Sequence, residues 1–172
     1  KNGRCAIILP DGFLFGTDNA KVNIKKKLLG EFNLHTIVRL PKSVFAPYTS
    51  ISTNILFFTK GKKTEEVWFY EHQLPQGVKA YNKTKPLQLK EFDTLKAWWG
   101  LESDGFASRV ANEQAWKVDI ETIKANGYNL DIKNPHKEEV EHTYSSSELL
   151  EMLSSSFAKS NTLLEKLKSE LS

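Results

Sequence analysis

Thr53-Asn54-Ile55-Leu56-Phe57-Phe58, within the run Ile51–Phe58 (ISTNILFF), carries apolar and β-branched residues on both faces of an extended chain. Such a stretch suits a strand buried on both sides. Residues 42–50 alone separate it from the preceding run, Leu34–Pro41 (LHTIVRLP), and that gap, which holds Pro47, is too short for a crossover helix. The third run is therefore expected to lie antiparallel to a neighbour. Upstream, Arg4–Pro10 (RCAIILP) is an apolar run stopped by Pro10-Asp11-Gly12. Between these runs, Lys21–Phe32 reads as a helix: Val22, Leu29 and Phe32 recur at helical spacing, as do Ile24 and Leu28, with Lys25-Lys26-Lys27 on the other face. Thr17 or Asp18 can cap it. A strand–helix–strand of this length predicts a right-handed parallel crossover. Downstream, Gly61-Lys62-Lys63-Thr64 predicts a hairpin loop into a fourth run, Val67–Tyr70 (VWFY).

A buried strand needs neighbours on both edges. The first run begins within a few residues of Lys1, with no initiator methionine, so the chain is expected to begin inside a domain. With 172 residues, 40% of them apolar and 11% aromatic, there is material for one domain or a partial domain with an appendage. A net charge of +3 permits a nucleic-acid partner without requiring one. Cys5 is the single cysteine, which excludes a disulfide framework; it reads as a core residue of a protein in a reducing, cytoplasmic compartment. No apolar run approaches the length that spans a bilayer, so no membrane partner is expected. His35, His72, His136 and His142 show no metal-ligand spacing, and His35 reads as structural.

Three regions emerge: residues 1–71, alternating strand and helix; 72–142, a connecting region with short helices; and 143–172, a terminal amphipathic helix. Within the second, Leu89–Trp99 reads as helical, Trp116–Ala125 as a weaker helix ended by Asn126-Gly127, and Lys137–His142 as a charged linker. In the third, Leu150, Leu153, Phe157, Ser160, Leu164, Leu167 and Leu171 are spaced 3, 4, 3, 4, 3, 4, a coiled-coil seam with one polar position. Leu149, Met152 and Leu163 widen the stripe. Either it folds back on the Trp98/Trp99 region or it docks on a partner.

Residues 3–16 (GRCAIILPDGFLFG), then Lys26-Lys27-Leu28-Leu29, Ile37-Val38-Arg39-Leu40-Pro41 and Val44-Phe45 resemble, in order, the fifth-strand region and its continuation in modification (M) subunits of type I restriction-modification systems. Thr53–Phe58 resembles their seventh strand, and Trp116-Lys117-Val118 with Asn126-Gly127-Tyr128-Asn129-Leu130 a distal signature. The resemblance implies an α/β fold: the late strands of a Rossmann-like methyltransferase sheet, the last of them antiparallel, followed by a mostly helical C-terminal region. It further implies adenine-N6 methylation of DNA with S-adenosylmethionine by the whole enzyme.

The glycine-rich cofactor loop and the Asn-Pro-Pro-Phe/Tyr tetrapeptide of such enzymes are missing here; the only Asn-Pro, Asn134-Pro135, lies in the wrong context. The chain alone is thus expected to contain no catalytic residue and to bind no cofactor. By the resemblance, the loop before the antiparallel strand supplies an aromatic that stacks on an extruded base, with Phe45 the first candidate and Tyr48 the second. The blander alternative is that Phe45 packs under its loop. Lys25, Lys26, Lys27, Lys62 and Lys63 are candidate DNA-backbone contacts, or simply solvated faces. Asp11 follows a strand end, a functional position in α/β proteins or a plain turn. The seam residues Leu153, Phe157, Leu164, Leu167 and Leu171 are expected to dock on a helix of the specificity (S) subunit. Further expected partners are DNA, the N-terminal remainder of the M subunit and, as a weaker candidate, the nuclease (R) subunit. The rival reading is a stand-alone, non-catalytic DNA-binding or assembly module with a methyltransferase-like sheet.

Overall fold

Arg4–Pro10 forms β1, and the chain then enters a single helical turn, α1 (Asp11–Leu14). Asp18 accepts from Lys21 N at 3.0 Å and opens α2 (Asn19–Glu31), satisfying one of the free N–H groups at its start. Then come β2 (Phe32–Arg39), β3 (Thr53–Lys60) and β4 (Glu66–Glu71). A 3-10 turn, Leu89–Phe92, leads into α3 (Asp93–Trp98), and β5 (Ala115–Asp119) and α4 (Ile120–Ala125) follow. The last element is α5 (Ser146–Leu171). The computed structural model describes residues 3–137 and 144–171, the side chain of Leu171 excepted. Residues 138–142 of the expected charged linker, including His142, lie outside the described residues. Two compact units divide the chain, residues 1–137 and 138–172.

The first unit is α/β, built on a mixed five-stranded sheet of order β1-β3-β2-β4-β5. β3 lies between β1 and β2 and runs antiparallel to both, so the strands joined by α2 are parallel to each other with β3 inserted between them. β4 continues parallel to β2, and β5 closes the far edge antiparallel. One face buries Leu14, Leu29, Leu34, Ile37, Leu56, Phe69, Trp116, Ile123 and Leu130. The other buries Val38, Tyr70, Leu95 and Ala115, with Trp98 and Trp99 packed against them. Full burial of each large apolar side chain contributes about 1.5–3 kcal/mol before entropy is counted.

Three expectations need correction. Gly61-Lys62-Lys63-Thr64 is not a hairpin loop: β3 and β4 are not paired, because both edges of β3 are taken by β1 and β2. Residues 61–65 instead step across the start of β2. Thr64 pins that step, its Oγ1 accepting from Leu34 N and donating to Phe32 O, each at 2.8 Å. The helix expected from Trp116 begins only at Ile120. Trp116 and Val118 face one side of a strand at period two, and Asp119 caps the helix by accepting from Thr122 N at 2.8 Å. In this chain Cys5 is exposed rather than core, because β1 is an outer strand of the five among the described residues and most of its residues are open to solvent.

Candidate functional site

The carboxyl ends of β1, β2 and β4 and the starting ends of β3 and β5 share one end of the sheet. There the chain from Leu40 to Ser52 forms a loop of overlapping turns. Val44 N donates to Pro41 O (3.3 Å), Ala46 N to Ser43 O (3.0 Å), and Tyr48 N and Thr49 N to Phe45 O (3.0 and 3.2 Å). The Ala46–Pro47 peptide is cis. These turns leave Phe45 37% and Tyr48 92% exposed, while Val44 packs into the core below. The loop is anchored at its ends: Leu40 N donates to Thr53 O (2.9 Å) and Asp11 N to Ser52 O (3.1 Å). Asn54, fully buried in β3, donates its Nδ2 to Asp11 Oδ1 at 2.6 Å, so Asp11 ties the end of β1 to the start of β3. Beside them Arg39 pairs with Asp131 at 2.5 Å and donates to Ile132 O at 3.0 Å.

A second group supports the loop from beneath. Tyr81 N donates to Ser43 Oγ at 2.7 Å. The Tyr81 hydroxyl donates to Glu91 Oε2 at 2.5 Å and lies 3.4 Å from His72 Nε2. Burial and the neighbouring Glu91 raise the Tyr81 phenol above its ordinary value. The same hydrogen bond holds the Glu91 carboxyl below its usual range, and burial lowers His72. None of these four residues stood out in the sequence. The one available signal was Gln88-x-x-Glu91, whose reciprocal side-chain bonds form a capping box.

The candidate lysines do not form one surface. Lys25 is a correction: it is 1% exposed, and its Nζ donates to Leu14 O and Gly16 O, both at 2.9 Å. It faces inward because it shares a helical face with Val22 and Leu29, and it cannot meet DNA phosphate without leaving those carbonyls unpaired. Lys26 and Lys27 are exposed, with Lys26 Nζ 5.2 Å from the centre of the Tyr128 ring. Lys62 and Lys63 are exposed too, but at the opposite end of the sheet. There they line an open groove of about 960 Å³ with Arg4, Lys60, Glu65, Glu66 and Glu102. The length of β3, about 25 Å for eight residues at strand rise, separates them from the aromatic loop.

The β1–α2 turn is closed by its own contacts. A side chain at Gly16 would meet the Gly12 carbonyl at 2.7 Å, so its glycine serves a close approach of the chain to itself. The Leu14 and Gly16 carbonyls are already taken by Lys25. Among the described residues no cluster of His, Cys, Asp and Glu is placed to hold a metal, and no helix is long and apolar enough to cross a membrane.

In the second unit, α5 opens with a reciprocal cap: Ser145 N donates to Glu148 Oε2 (2.7 Å) and Glu148 N to Ser145 Oγ (3.3 Å). Leu150, Leu153, Phe157, Leu164 and Leu167 are each 53–67% exposed along one stripe. The docking expectation for the Leu171 side chain falls outside the described residues.

Residues 1–143 match the family model described as N-6 DNA Methylase. The chain is 62% identical over 137 residues to the type I restriction enzyme EcoEI methylase subunit of Escherichia coli, covering 80% of this chain and 28% of that protein. It superposes on a modification subunit of a putative type I restriction enzyme from Vibrio vulnificus YJ016 with a TM-score of 0.70 at 45% identity, over 81% of this chain and 29% of that one. It also superposes, with a TM-score of 0.73 at 33% identity, on a chain from a study of complex assembly and conformational transition in a type I R-M system, over 98% of this chain and 35% of that one. The chain thus spans under a third of the length of the EcoEI subunit. With a family match over most of its residues, this chain belongs to the N-6 DNA methylase family.

Proposed function

We propose that this chain is the C-terminal part of the M subunit of a type I restriction-modification system, a cytoplasmic enzyme. It holds the late half of a Rossmann-like methyltransferase sheet plus a helical tail. The complete subunit transfers a methyl group from S-adenosylmethionine to adenine N6 in DNA. Cofactor and target amine are held by residues outside this chain, because it carries neither the glycine-rich loop nor the Asn-Pro-Pro-Phe/Tyr tetrapeptide. This part contributes a platform for the extruded base, backbone contacts from Lys26 and Lys27, and a docking helix for the S subunit. Lys62 and Lys63 would meet only DNA that runs past the far end of the sheet.

The observation that carries this reading is the reversed strand β3, inserted between parallel β1 and β2 and entered through a loop that presents Phe45 and Tyr48 to solvent. Methylation of a base needs it out of the stack, and a flipped base is held by stacking on aromatic side chains. In the complete subunit, Phe45→Ala is expected to weaken base stabilisation by about 1–3 kcal/mol, and Tyr48→Ala by less. Fluorescence of 2-aminopurine at the target adenine reports extrusion, and tritiated methyl transfer reports turnover. Wild-type behaviour of both variants would remove this loop from the reaction.

A further inference from the structure

Between residues 73 and 91 the chain runs without strand or α-helix, and Tyr81 is the one buried residue in it. Its side chain is fixed from two elements. Glu91, in the 3-10 turn before α3, accepts the phenolic proton at 2.5 Å, while its other oxygen accepts from Gln88 N at 2.9 Å. His72, just beyond β4, stacks on Phe92 with centroids 4.7 Å apart and hangs from Arg39 O through its own N–H at 2.9 Å. A phenol that gives its proton to a carboxylate offers its oxygen lone pairs to the His72 Nε2–H. The backbone N–H of the same Tyr81 donates to Ser43 Oγ at 2.7 Å. Ser43 in turn begins the turn that contains Phe45, its carbonyl accepting from Ala46 N at 3.0 Å. A chain of contacts thus runs from the 3-10 turn and β4, through Tyr81, to a point two residues from the exposed aromatic.

We propose that Ser43 and Tyr81, braced by Glu91 and His72, are positioning residues that set the Phe45–Tyr48 loop at the height where it receives the flipped base. This inference rests on the reading of that loop as the base platform. Neither Ser43 nor Tyr81 touches the base; both act by holding a loop whose stacking geometry tolerates little displacement. The tie is polar and local, so cutting it frees the loop without hollowing the core. Burial and Glu91 both keep the phenol protonated, so the hydroxyl remains a donor at neutral pH.

The test uses the complete subunit with its specificity partner and DNA carrying 2-aminopurine at the target adenine. Ser43→Ala and Tyr81→Phe should each lower the extruded population and the methylation rate by about three- to tenfold, the scale of one hydrogen bond. Affinity for S-adenosylmethionine, measured by calorimetry, should stay at the wild-type value. Ser43→Thr, which keeps the hydroxyl, should restore both signals. The double variant Ser43→Ala/Tyr81→Phe should lose little more than either single one, since both cut the same path. Wild-type extrusion in Ser43→Ala, failure of the threonine rescue, or additive losses would overturn the positioning role. Phe45→Ala, run alongside, separates the two failures. If it loses extrusion while Ser43→Ala does not, the platform stands and the brace falls. If Phe45→Ala itself extrudes normally, the platform and this inference fall together.

Discussion

Lys25, Lys26 and Lys27 are chemically identical neighbours with different work. Lys25 satisfies two carbonyls at the end of α1, and burial lowers its pKa, whereas Lys26 and Lys27 stand in solvent. Lys25→Met should destabilise the chain by about 1–3 kcal/mol in urea unfolding, because it strands buried acceptors. Lys26→Ala and Lys27→Ala should stay within about 0.5 kcal/mol, and in the complete enzyme these two, not Lys25, should reduce the salt dependence of DNA binding. The signal for this division was present in the sequence: Lys25 falls three residues after Val22 and four before Leu29, on the apolar side. The composition of the triplet hid it. His35 makes a second residue-scale case. Burial, then the nearby Arg109 charge, push its pKa from 6.5 down to about 4. Below pH 6.5 the unfolded chain takes up a proton that native His35 refuses until about pH 4. Stability from this group is therefore complete above pH 6.5 and lost as pH falls toward 4, by up to about 3 kcal/mol. Urea midpoints at pH 7 and pH 4.5 should show the loss, and His35→Gln should flatten it; His72, lowered by burial as well, adds in the same direction.

Elements were legible where their period was strong. α2 and α5 follow from helical spacing, and the strands around Ile37, Leu56 and Phe69 from short apolar runs bounded by turn residues. β5 was misread because Trp116 through Ala125 holds both periods, and only the cap at Asp119 marks where one gives way to the other. The β3–β4 connection was misread because a short loop between two strands looks the same in sequence whether it joins neighbours or steps across a third strand; the decision lies with Thr64, whose partners are thirty residues upstream. For α5, the exposed stripe is the element's own prediction. Replacing Leu164 and Leu167 by Asp should abolish co-purification of the M and S subunits, since charge at a buried seam costs several kcal/mol. Tryptophan fluorescence should stay unchanged, because Trp68, Trp98, Trp99 and Trp116 all belong to the first unit. An intact complex would show that docking uses another surface.

At the scale of the whole chain, the expectation is a negative one. The isolated 172 residues should show no heat of binding with S-adenosylmethionine and no transfer of a tritiated methyl to unmodified DNA; micromolar binding or clear turnover would overturn the reading of this chain as a part. The candidate loop was legible because it lies between two strong strands. Its brace was not, since Ser43, His72, Tyr81 and Glu91 are scattered through turns that carry no period. The reversed strand has one more consequence, in time. β3 is made after both strands it separates, and β1 pairs with residues as distant as Thr59. At a synthesis rate of about 5–20 residues per second, the stretch from Arg39 to Lys60 takes roughly one to four seconds to emerge. Through that interval RCAIILP and LHTIVR are both complete while the strand that belongs between them is not. The order of the strands along the chain thus sets an interval in which chaperones compete with collapse for the same apolar segments.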